Sequence, residues 1–355
     1  MKEKKKLISR KKPTFPVNEE LAGFLKKHNR STKISILYDD LLRFQGAISV
    51  FDKNDKDTLW VSTYYSEFDK IEIDLSLKKI YTLLHSDGNE NTIPFLNIDA
   101  IDFCTFGNSK PFRIKVRNIL NDNFTYFYVK QADASRIYGL ELEHILSPYT
   151  MNYLVYKDTL IEEHISGIPG DDFIANTLPN CTELEKSQIA KEFVKFKERC
   201  FIRLLGDMRS YNYVITPIHD FDKIVYKVRA IDFDQQSFEG NLKVYNLQFM
   251  KENFRMVEMV SKKLQNSSIH QYQIEERSYI AKRMISSPDR TAHIIRCMKN
   301  DTISFPENVA LLKKHLIKYV GDVEFKKCKN MGEVLETVLA FVKRNYLDIS
   351  NKELF

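Results

Sequence analysis

The sequence predicts an α+β fold in which a region of antiparallel strands precedes a mainly helical region. Two observations lead to this class. In 98–131, aromatic and β-branched residues form short runs broken by turn residues, as expected of consecutive strands. Beyond Gly170, apolar residues recur at helical spacing, most clearly in 184–205. With 355 residues, of which 43% are hydrophobic, the chain can bury enough core for two lobes.

The amino-terminal part is predicted to consist of a tail and an extension. Residues 1–30 are rich in lysine and are expected to form a basic, flexible tail with a short helix at 19–27. Residues 31–97 are expected to form an α/β extension with strands at 33–37 and 59–63. The apolar face of its helix is predicted to consist of Ile71, Leu75, Ile80, Leu83 and Leu84.

Residues 98–166 are expected to form a small lobe and residues 167–355 a helical large lobe. The small lobe has the order three strands, one helix and two strands, predicted at 101–106, 112–119, 124–130, 134–146, 153–156 and 159–164. In the large lobe a hairpin with strands at 213–216 and 224–231 follows the long helix. Further helices are predicted within 247–264, 274–285, 292–298, 309–320 and 331–345.

Composition excludes several classes of protein. No run approaches the roughly 18 apolar residues that span a bilayer, and no apolar run follows the charged start, so neither a membrane span nor a secretory signal is expected. The five cysteines are odd in number and lack CxxC pairs, which predicts free thiols in a reducing cytoplasm. Arg113, Lys115 and Arg117 alternate with apolar residues, so a half-buried strand is favoured over a nucleic-acid surface.

Two polar segments carry the strongest chemical signal. Leu205-Gly-Asp-Met-Arg-Ser-Tyr-Asn212 is followed, after the predicted hairpin, by Ala230-Ile-Asp-Phe-Asp234. Phosphoryl transfer requires a metal held between phosphates and a group that orients the nucleophile and accepts its proton. An Asp, an Asn five residues later and an Asp at the end of the next strand can supply both.

These segments resemble the catalytic and metal-binding loops of the protein-kinase-like superfamily, especially its aminoglycoside phosphotransferase and choline kinase branch. The resemblance implies a bilobal fold with an antiparallel-sheet small lobe and a helical large lobe, and it covers about 100–240. It also implies that Asp207 is the catalytic base, and that Asn212 and Asp232 bind magnesium with the help of Asp234.

The upstream residues match the same pattern in order. Lys130 ends the strand Tyr126-Phe-Tyr-Val-Lys130, which resembles the strand of the phosphate-anchoring lysine, and Glu141 in the following helix is expected to pair with it, with Glu143 as the runner-up. The segment Leu160-Ile-Glu-Glu-His-Ile-Ser-Gly167 resembles the hinge between the lobes. The resemblance implies that the backbone of Glu163, His164 and Ile165 contacts adenine.

Three features depart from the pattern. Leu205 stands where a histidine normally braces the catalytic loop, and the interval between Asn212 and Asp232 is longer than usual, with the extra residues predicted to form a loop at 217–223. The glycine-rich phosphate loop is reduced to Gly107. A pseudokinase-like binding or scaffold protein is therefore kept as an alternative.

Each of these residues also has an ordinary interpretation. Lys130 could be a solvated residue at a sheet edge, and Asp207 and Asn212 could serve only local turns. Asp232 and Asp234 flank Phe233 and are expected to point to one face, where their repulsion requires a metal or a Lys or Arg side chain between them. The histidines show no zinc-binding spacing.

The favoured hypothesis is an ATP- and Mg²⁺-dependent phosphotransferase acting on a hydroxyl group. Its partners would be a nucleotide and an unidentified acceptor, and a small molecule is favoured over a protein because no activation segment follows Asp232. The same fold with the nucleotide turned in its site would be an adenylyltransferase. The sequence leaves the acceptor open, since acceptor specificity depends on large-lobe helices and loops without a recognisable motif.

Overall fold

The computed structural model of the chain describes residues 12–52, 55–86, 88–107, 109–221 and 223–347. Residues 1–11 of the predicted tail and Asp222 of the predicted loop lie outside the described residues. The strands are β1 (Gly46–Phe51), β2 (Asp57–Tyr64), β3 (Leu96–Cys104), β4 (Phe112–Asn118), β5 (Phe124–Gln131), β6 (Tyr153–Tyr156), β7 (Thr159–Glu163), β8 (Ile168–Pro169), β9 (Tyr213–Asp220) and β10 (Lys223–Ala230).

The helices differ widely in length, and short 3-10 turns occur between several of them. In chain order they are α1 (Glu19–Lys27), α2 (Tyr38–Leu41), α3 (Glu67–His85), α4 (Ala134–Leu146), α5 (Gly170–Asp172), α6 (Glu183–Ile202), α7 (Phe254–Lys263), α8 (Asn266–Ser286), α9 (Pro288–Lys299), α10 (Pro306–Val320) and α11 (Met331–Tyr346). No helix within the described ranges has the length and apolar character needed to cross a membrane.

The elements group into two compact units. The sheet unit comprises Met1–Asp133 and Asn152–His164, and the helical unit comprises Ala134–Met151 and Ile165–Phe355. All strand pairs of the sheet unit are antiparallel, in the order β1-β2-β3-β4-β5-β7-β6. The predicted α+β class is confirmed, because the antiparallel sheet and most helices fall in different units.

The core of the sheet unit lies between the sheet and helices α2 and α3. Helix α3 packs against β3 and β4, and α2 packs against β5. Alternate residues of β4, such as Phe112, Ile114 and Val116, are buried there, as the period of two in a strand requires.

The helical unit contains a three-stranded antiparallel sheet of order β10-β9-β8. Helix α6 packs against β10, α7 and α8, while α11 packs against α8 and α9. Helix α4 belongs to this unit, where it contacts α8 and α9 and has nearly every side chain buried. A helix buried all round takes its stability from packing on several neighbours.

The structure divides the chain differently from the predicted boundaries at 98 and 166. The predicted extension contributes β1 and β2 to the same sheet as β3–β7, because β2 pairs with β3 through residues such as Val61 and Phe103. The predicted flexible tail is also ordered from Lys12, whose ammonium bonds Asp133 at 2.6 Å. Its helix α1 buries Leu21 and Phe24. A single short helix cannot bury its own side chains, so both must pack against other parts of the chain.

Three local predictions need correction. The segment 33–37 is not a strand, whereas β1 was not predicted. On α3, the buried face carries Ile73, Leu77, Ile80 and Leu84, and Ile71 and Leu75 are exposed. An offset of two residues turns a helical side chain by about 200°, so Ile71 points away from Ile73. The predicted loop 217–223 mostly continues the hairpin, because β9 extends to Asp220 and β10 begins at Lys223.

Candidate active site

The predicted catalytic loop follows α6 in the helical unit. Helix α6 begins with a capping box of Thr182 and Glu185 and ends at Ile202, after which the chain turns toward Asp207. Asp207 adopts a left-handed backbone conformation with φ 56°, which Asp tolerates better than most residues. Its N–H donates to the Val244 carbonyl at 3.1 Å, and Gly206 N–H donates to the Gln235 carbonyl at 3.1 Å. Backbone hydrogen bonds therefore hold the loop in place. The position at which the family pattern has a bracing histidine is taken by the buried Leu205.

The Asp207 carboxylate lies in a small charge network. Arg209 Nε donates to Asp207 Oδ1 at 2.8 Å, and Arg209 Nη1 donates to Glu252 Oε1 at 2.9 Å. Burial raises the pKa of the Asp207 carboxyl above its ordinary value, Arg209 opposes the rise and Glu252 adds to it. A raised pKa makes a carboxylate a better proton acceptor, which suits a general base.

Asn212 and Asp232 lie at the base of the hairpin formed by β9 and β10. β9 begins directly after Asn212, and β10 ends two residues before Asp232. Tyr213 is paired with Ala230, and Ile231 N–H donates to the Asn212 carbonyl at 3.0 Å. Asn212 Nδ2 donates to the Asp207 carbonyl at 2.8 Å. The long interval between Asn212 and Asp232 therefore lengthens the hairpin without separating its base, and Asn212 links the catalytic loop to the predicted metal segment.

Asp232 and Asp234 share one cation, Arg136. Arg136 lies in the first turn of α4, and its Nη1 donates to Asp232 Oδ1 at 2.8 Å and to Asp234 Oδ1 at 2.7 Å. Its Nη2 also lies 3.4 Å from the Ile231 carbonyl oxygen. Of the two alternatives for reducing the repulsion between these carboxylates, the structure shows the arginine.

The same residues offer the donor atoms that magnesium prefers. Mg²⁺ is bound by hard oxygen ligands, commonly one or two carboxylates together with water and phosphate oxygens. Asp232 and Asp234 provide carboxylates, and Asn212 retains its amide oxygen because its Nδ2 is bonded to Asp207. Within the described ranges, no three His, Cys, Asp or Glu side chains gather as a metal site. The two carboxylates and the amide oxygen are donors of the type that fits a magnesium ion.

Lys130 lies near the end of β5 in the sheet unit. Its Nζ bonds Glu162 Oε2 at 2.8 Å, and both side chains are buried. Lys130 pairs across the sheet with Leu160, so Glu162 extends from the neighbouring strand β7. Burial makes the ordinary interpretation of Lys130 as a solvated edge residue wrong.

The two glutamates considered as partners of Lys130 lie in α4 of the helical unit. The carboxylate of Glu141 accepts from Arg290 Nε, and that of Glu143 accepts from Arg203 Nη1. Burial would raise the pKa of Glu143, but the Arg203 guanidinium and further hydrogen bonds hold it below its ordinary value. The pairing of Lys130 with Glu141 stays a prediction.

The predicted hinge spans the division between the units, which falls after His164. Glu163 N–H donates to the Asn152 carbonyl at 3.0 Å, so this donor is already used within the sheet unit. The His164 ring bonds the Tyr128 hydroxyl at 3.2 Å, and burial together with the charge of Arg113 lowers the pKa of His164. The contact of Glu163, His164 and Ile165 with adenine stays a prediction.

Four charged residues around these positions were not predicted to belong to the site: Arg136, Glu162, Arg209 and Glu252. A signal existed for Arg136, because the apolar helix 134–146 leaves its charged residues no solvated face. Such residues require partners inside the fold. The sequence did not show which residue would be the partner of Arg136, because Asp232 is 96 positions away along the chain.

A separate cavity of about 260 Å³ lies within the helical unit, between α6, α10 and α11. Its walls are mainly apolar and aromatic, with contributions from Phe201, Leu316 and Phe341. The lining that the structure describes includes none of the predicted site residues.

Comparison with known proteins adds little beyond this geometry. No protein-family model matches the sequence, and no curated protein matches it. Among solved structures the chain is similar to an ethanolamine kinase from Plasmodium vivax, with 11% sequence identity, a match covering 79% of this chain and 92% of that chain, and a TM-score of 0.30. A TM-score of this size gives no indication of activity.

Proposed function

We propose that this chain is an ATP- and Mg²⁺-dependent phosphotransferase that acts on a hydroxyl group of a small molecule. The observation that carries the proposal is the connection through Asn212. Its side chain bonds the Asp207 backbone and its carbonyl accepts from Ile231, one residue before Asp232. A base, an amide ligand and a carboxylate ligand are thereby held by short hydrogen-bonded links, as catalysis by positioning requires.

In this proposal Asp207 orients the acceptor hydroxyl and takes its proton as the phosphoryl group is transferred. Asp232 and Asn212 would hold magnesium, with Asp234 as a further carboxylate. When bound, the metal would neutralise charge on the transferred phosphoryl group.

The nucleotide half of the proposal rests on Lys130. A buried ammonium held by Glu162 has a fixed position, and a lysine at the end of a strand can anchor the α and β phosphates. Glu162 would act as a positioning residue for Lys130. Adenine would be bound by backbone groups of the hinge, where Glu163 is limited to its remaining groups because its N–H is used.

A pseudokinase-like binding protein is the second candidate, and one observation favours it. Arg136 already donates to both Asp232 and Asp234 in the helical unit and offsets part of their negative charge. A site that carries its own cation could bind a nucleotide without a metal and without turnover.

The test measures binding and chemistry on the same samples of the full chain. ATP is titrated calorimetrically with and without Mg²⁺, and ADP and pyrophosphate are quantified after incubation with a panel of amino alcohols, sugars and nucleosides. We expect Asp207→Asn to bind Mg·ATP within a few-fold of wild type and to lose about 10²–10⁴-fold in ADP formation. Asp232→Asn is expected to lose the Mg²⁺-dependent part of binding.

Asp289→Asn serves as the control, because Asp289 is an exposed residue of α9. It should behave as wild type in both assays. ATP binding that ignores Mg²⁺ and Asp232→Asn, without ADP, would favour the pseudokinase, and pyrophosphate in place of ADP would identify an adenylyltransferase. Wild type that does not bind ATP at millimolar concentration would refute the proposal.

A further inference from the structure

Arg136 occupies the position in which a metal would serve the two carboxylates. Its side chain is only 2% exposed, and a single guanidinium nitrogen donates to one oxygen of Asp232 and one of Asp234. Asp232 Oδ1 also accepts from the Asp234 N–H at 3.0 Å. The oxygens nearest to Arg136 are therefore already drawn toward one point.

The electrostatics of this cluster favour one cation. Two ionised carboxylates turned toward the same point repel each other, and a positive charge between them offsets much of that repulsion. An arginine cannot supply a neutral form, because its guanidinium stays protonated in proteins. A divalent metal can therefore bind the same oxygens only if the guanidinium moves away, since the two charges would otherwise repel at close range.

We propose that Arg136 is an internal cation that holds Asp232 and Asp234 together in the metal-free protein and competes with divalent metal for them. The inference rests on the proposed function, in which these carboxylates bind magnesium. The apparent metal affinity is then the intrinsic affinity multiplied by the fraction of molecules in which Arg136 has left the carboxylates. Nucleotide phosphates, by adding ligands to the metal, would favour the exchange of one cation for the other.

The test measures metal binding alone, without nucleotide and without turnover. Mn²⁺ is titrated into the full chain, and free Mn²⁺ is followed by electron paramagnetic resonance, for wild type, Arg136→Met and Arg136→Gln. Met removes the charge at similar length, and Gln keeps a hydrogen-bond donor in case Met prevents folding. If Arg136 occupies the carboxylates in about nine-tenths of molecules or more, both variants should bind Mn²⁺ about tenfold more tightly or better.

Arg199→Met is the matched control. Arg199 is also buried in the helical unit and pairs with Glu276 at 3.2 Å, away from the two carboxylates. Its loss should destabilise the fold without raising the affinity for Mn²⁺. In wild type, Mg²⁺ should also shift the ¹⁵N resonance of the Arg136 side chain, assigned by its absence in Arg136→Gln.

The outcomes separate this inference from the proposed function. Tighter Mn²⁺ binding in the Arg136 variants, abolished when Asp232→Asn is added, would support competition. Equal binding in wild type and the Arg136 variants, lost in Asp232→Asn, would overturn competition and leave the proposed metal site standing. Mn²⁺ bound by none of the proteins, the Arg136 variants included, would overturn competition, and the proposed function would still be tested by the titration of ATP with and without Mg²⁺. A gain in Arg199→Met equal to that of the Arg136 variants would also overturn competition, because it would show that general loosening is the cause.

Discussion

At the scale of single residues, the helical unit depends on arginines buried beside carboxylates. Arg136, Arg199 and Arg203 are each at most 3% exposed and are bonded to Asp232 and Asp234, to Glu276 and to Glu143, respectively. Removing one partner of a buried pair leaves a desolvated charge, which costs far more than the pair itself contributes. These residues are therefore sensitive to substitution whether or not they take part in chemistry.

The Glu143 pair makes a prediction about pH. Glu143→Gln should lower the free energy of unfolding by about 3 kcal/mol at pH 7, because Arg203 loses its charged partner. The folded protein holds the pKa of Glu143 below the ordinary value of 4.5, so the ionised form stabilises the fold above that value. This contribution is lost as pH falls from about 4.5 toward the lower folded pKa, and the difference between wild type and variant should shrink there.

The measurement is urea unfolding followed by circular dichroism between pH 7 and pH 3.5. Glu258→Gln is the control, because Glu258 is an exposed residue of α7 that bonds Lys262. It should stay close to wild type throughout the range. A difference between wild type and Glu143→Gln that does not change with pH would contradict the assignment of the stabilisation to the ionised carboxylate.

At the scale of elements, helix α3 has two apolar faces, of which one is buried in the core and the other is exposed. Ile73 is fully buried beneath the sheet, whereas Ile71 is 74% exposed. Phe68 and Leu75 are also exposed and are spaced at three to four residues from Ile71, so they share its face. Hydrophobic residues at helical spacing were visible in the sequence, but the spacing could not say which set faces the core.

The two isoleucines form a matched pair for testing this assignment. Ile73→Ala should destabilise the protein by about 2–4 kcal/mol because it leaves a cavity in the core. Ile71→Ala should change stability by less than about 0.5 kcal/mol, since its side chain has little packing to lose. Chemical denaturation of both variants measures the difference directly. Equal losses would mean that the exposed face is covered in solution.

At the scale of the whole molecule, residues 31–97 are part of the sheet unit and not an appendage to it. Ile34, Leu41, Ile73 and Leu77 belong to one buried cluster with residues of β3, β4, β5 and β7, and β1 and β2 extend the same sheet. Removing this segment would expose the apolar face of the sheet to water.

A chain that begins at Ile98 should therefore fail to form the sheet. Trp60 is the only tryptophan and is lost with the deletion, so fluorescence cannot report the result. Hydrogen exchange of the amides in β4 and β5 is the suitable measurement, with the full chain as reference. We expect protection to disappear in the shortened chain, and protection equal to that of the full chain would instead support a domain boundary at 98.

Several elements could be predicted from local patterns in the sequence alone. Helix α4 was predicted at its observed bounds, and β4, β5 and α11 within about a residue, because periods of 2 and 3.6 are properties of neighbouring residues. The sequence also singled out Asp207, Asn212 and Asp232, which the structure links within one unit through Asn212 and Ile231. Their roles stay predictions until binding and turnover are measured.

The pairing of buried charges could be seen only in the folded chain. Arg136 contacts Asp232 across 96 positions, and Glu141 contacts Arg290 across 149, so no local spacing could have paired them. Lys130 forms its ion pair with Glu162 because β5 and β7 are neighbours in the sheet, although 32 positions separate the two residues. The physical reason is that burial fixes the need for a counter-charge locally, while the fold decides which distant side chain supplies it.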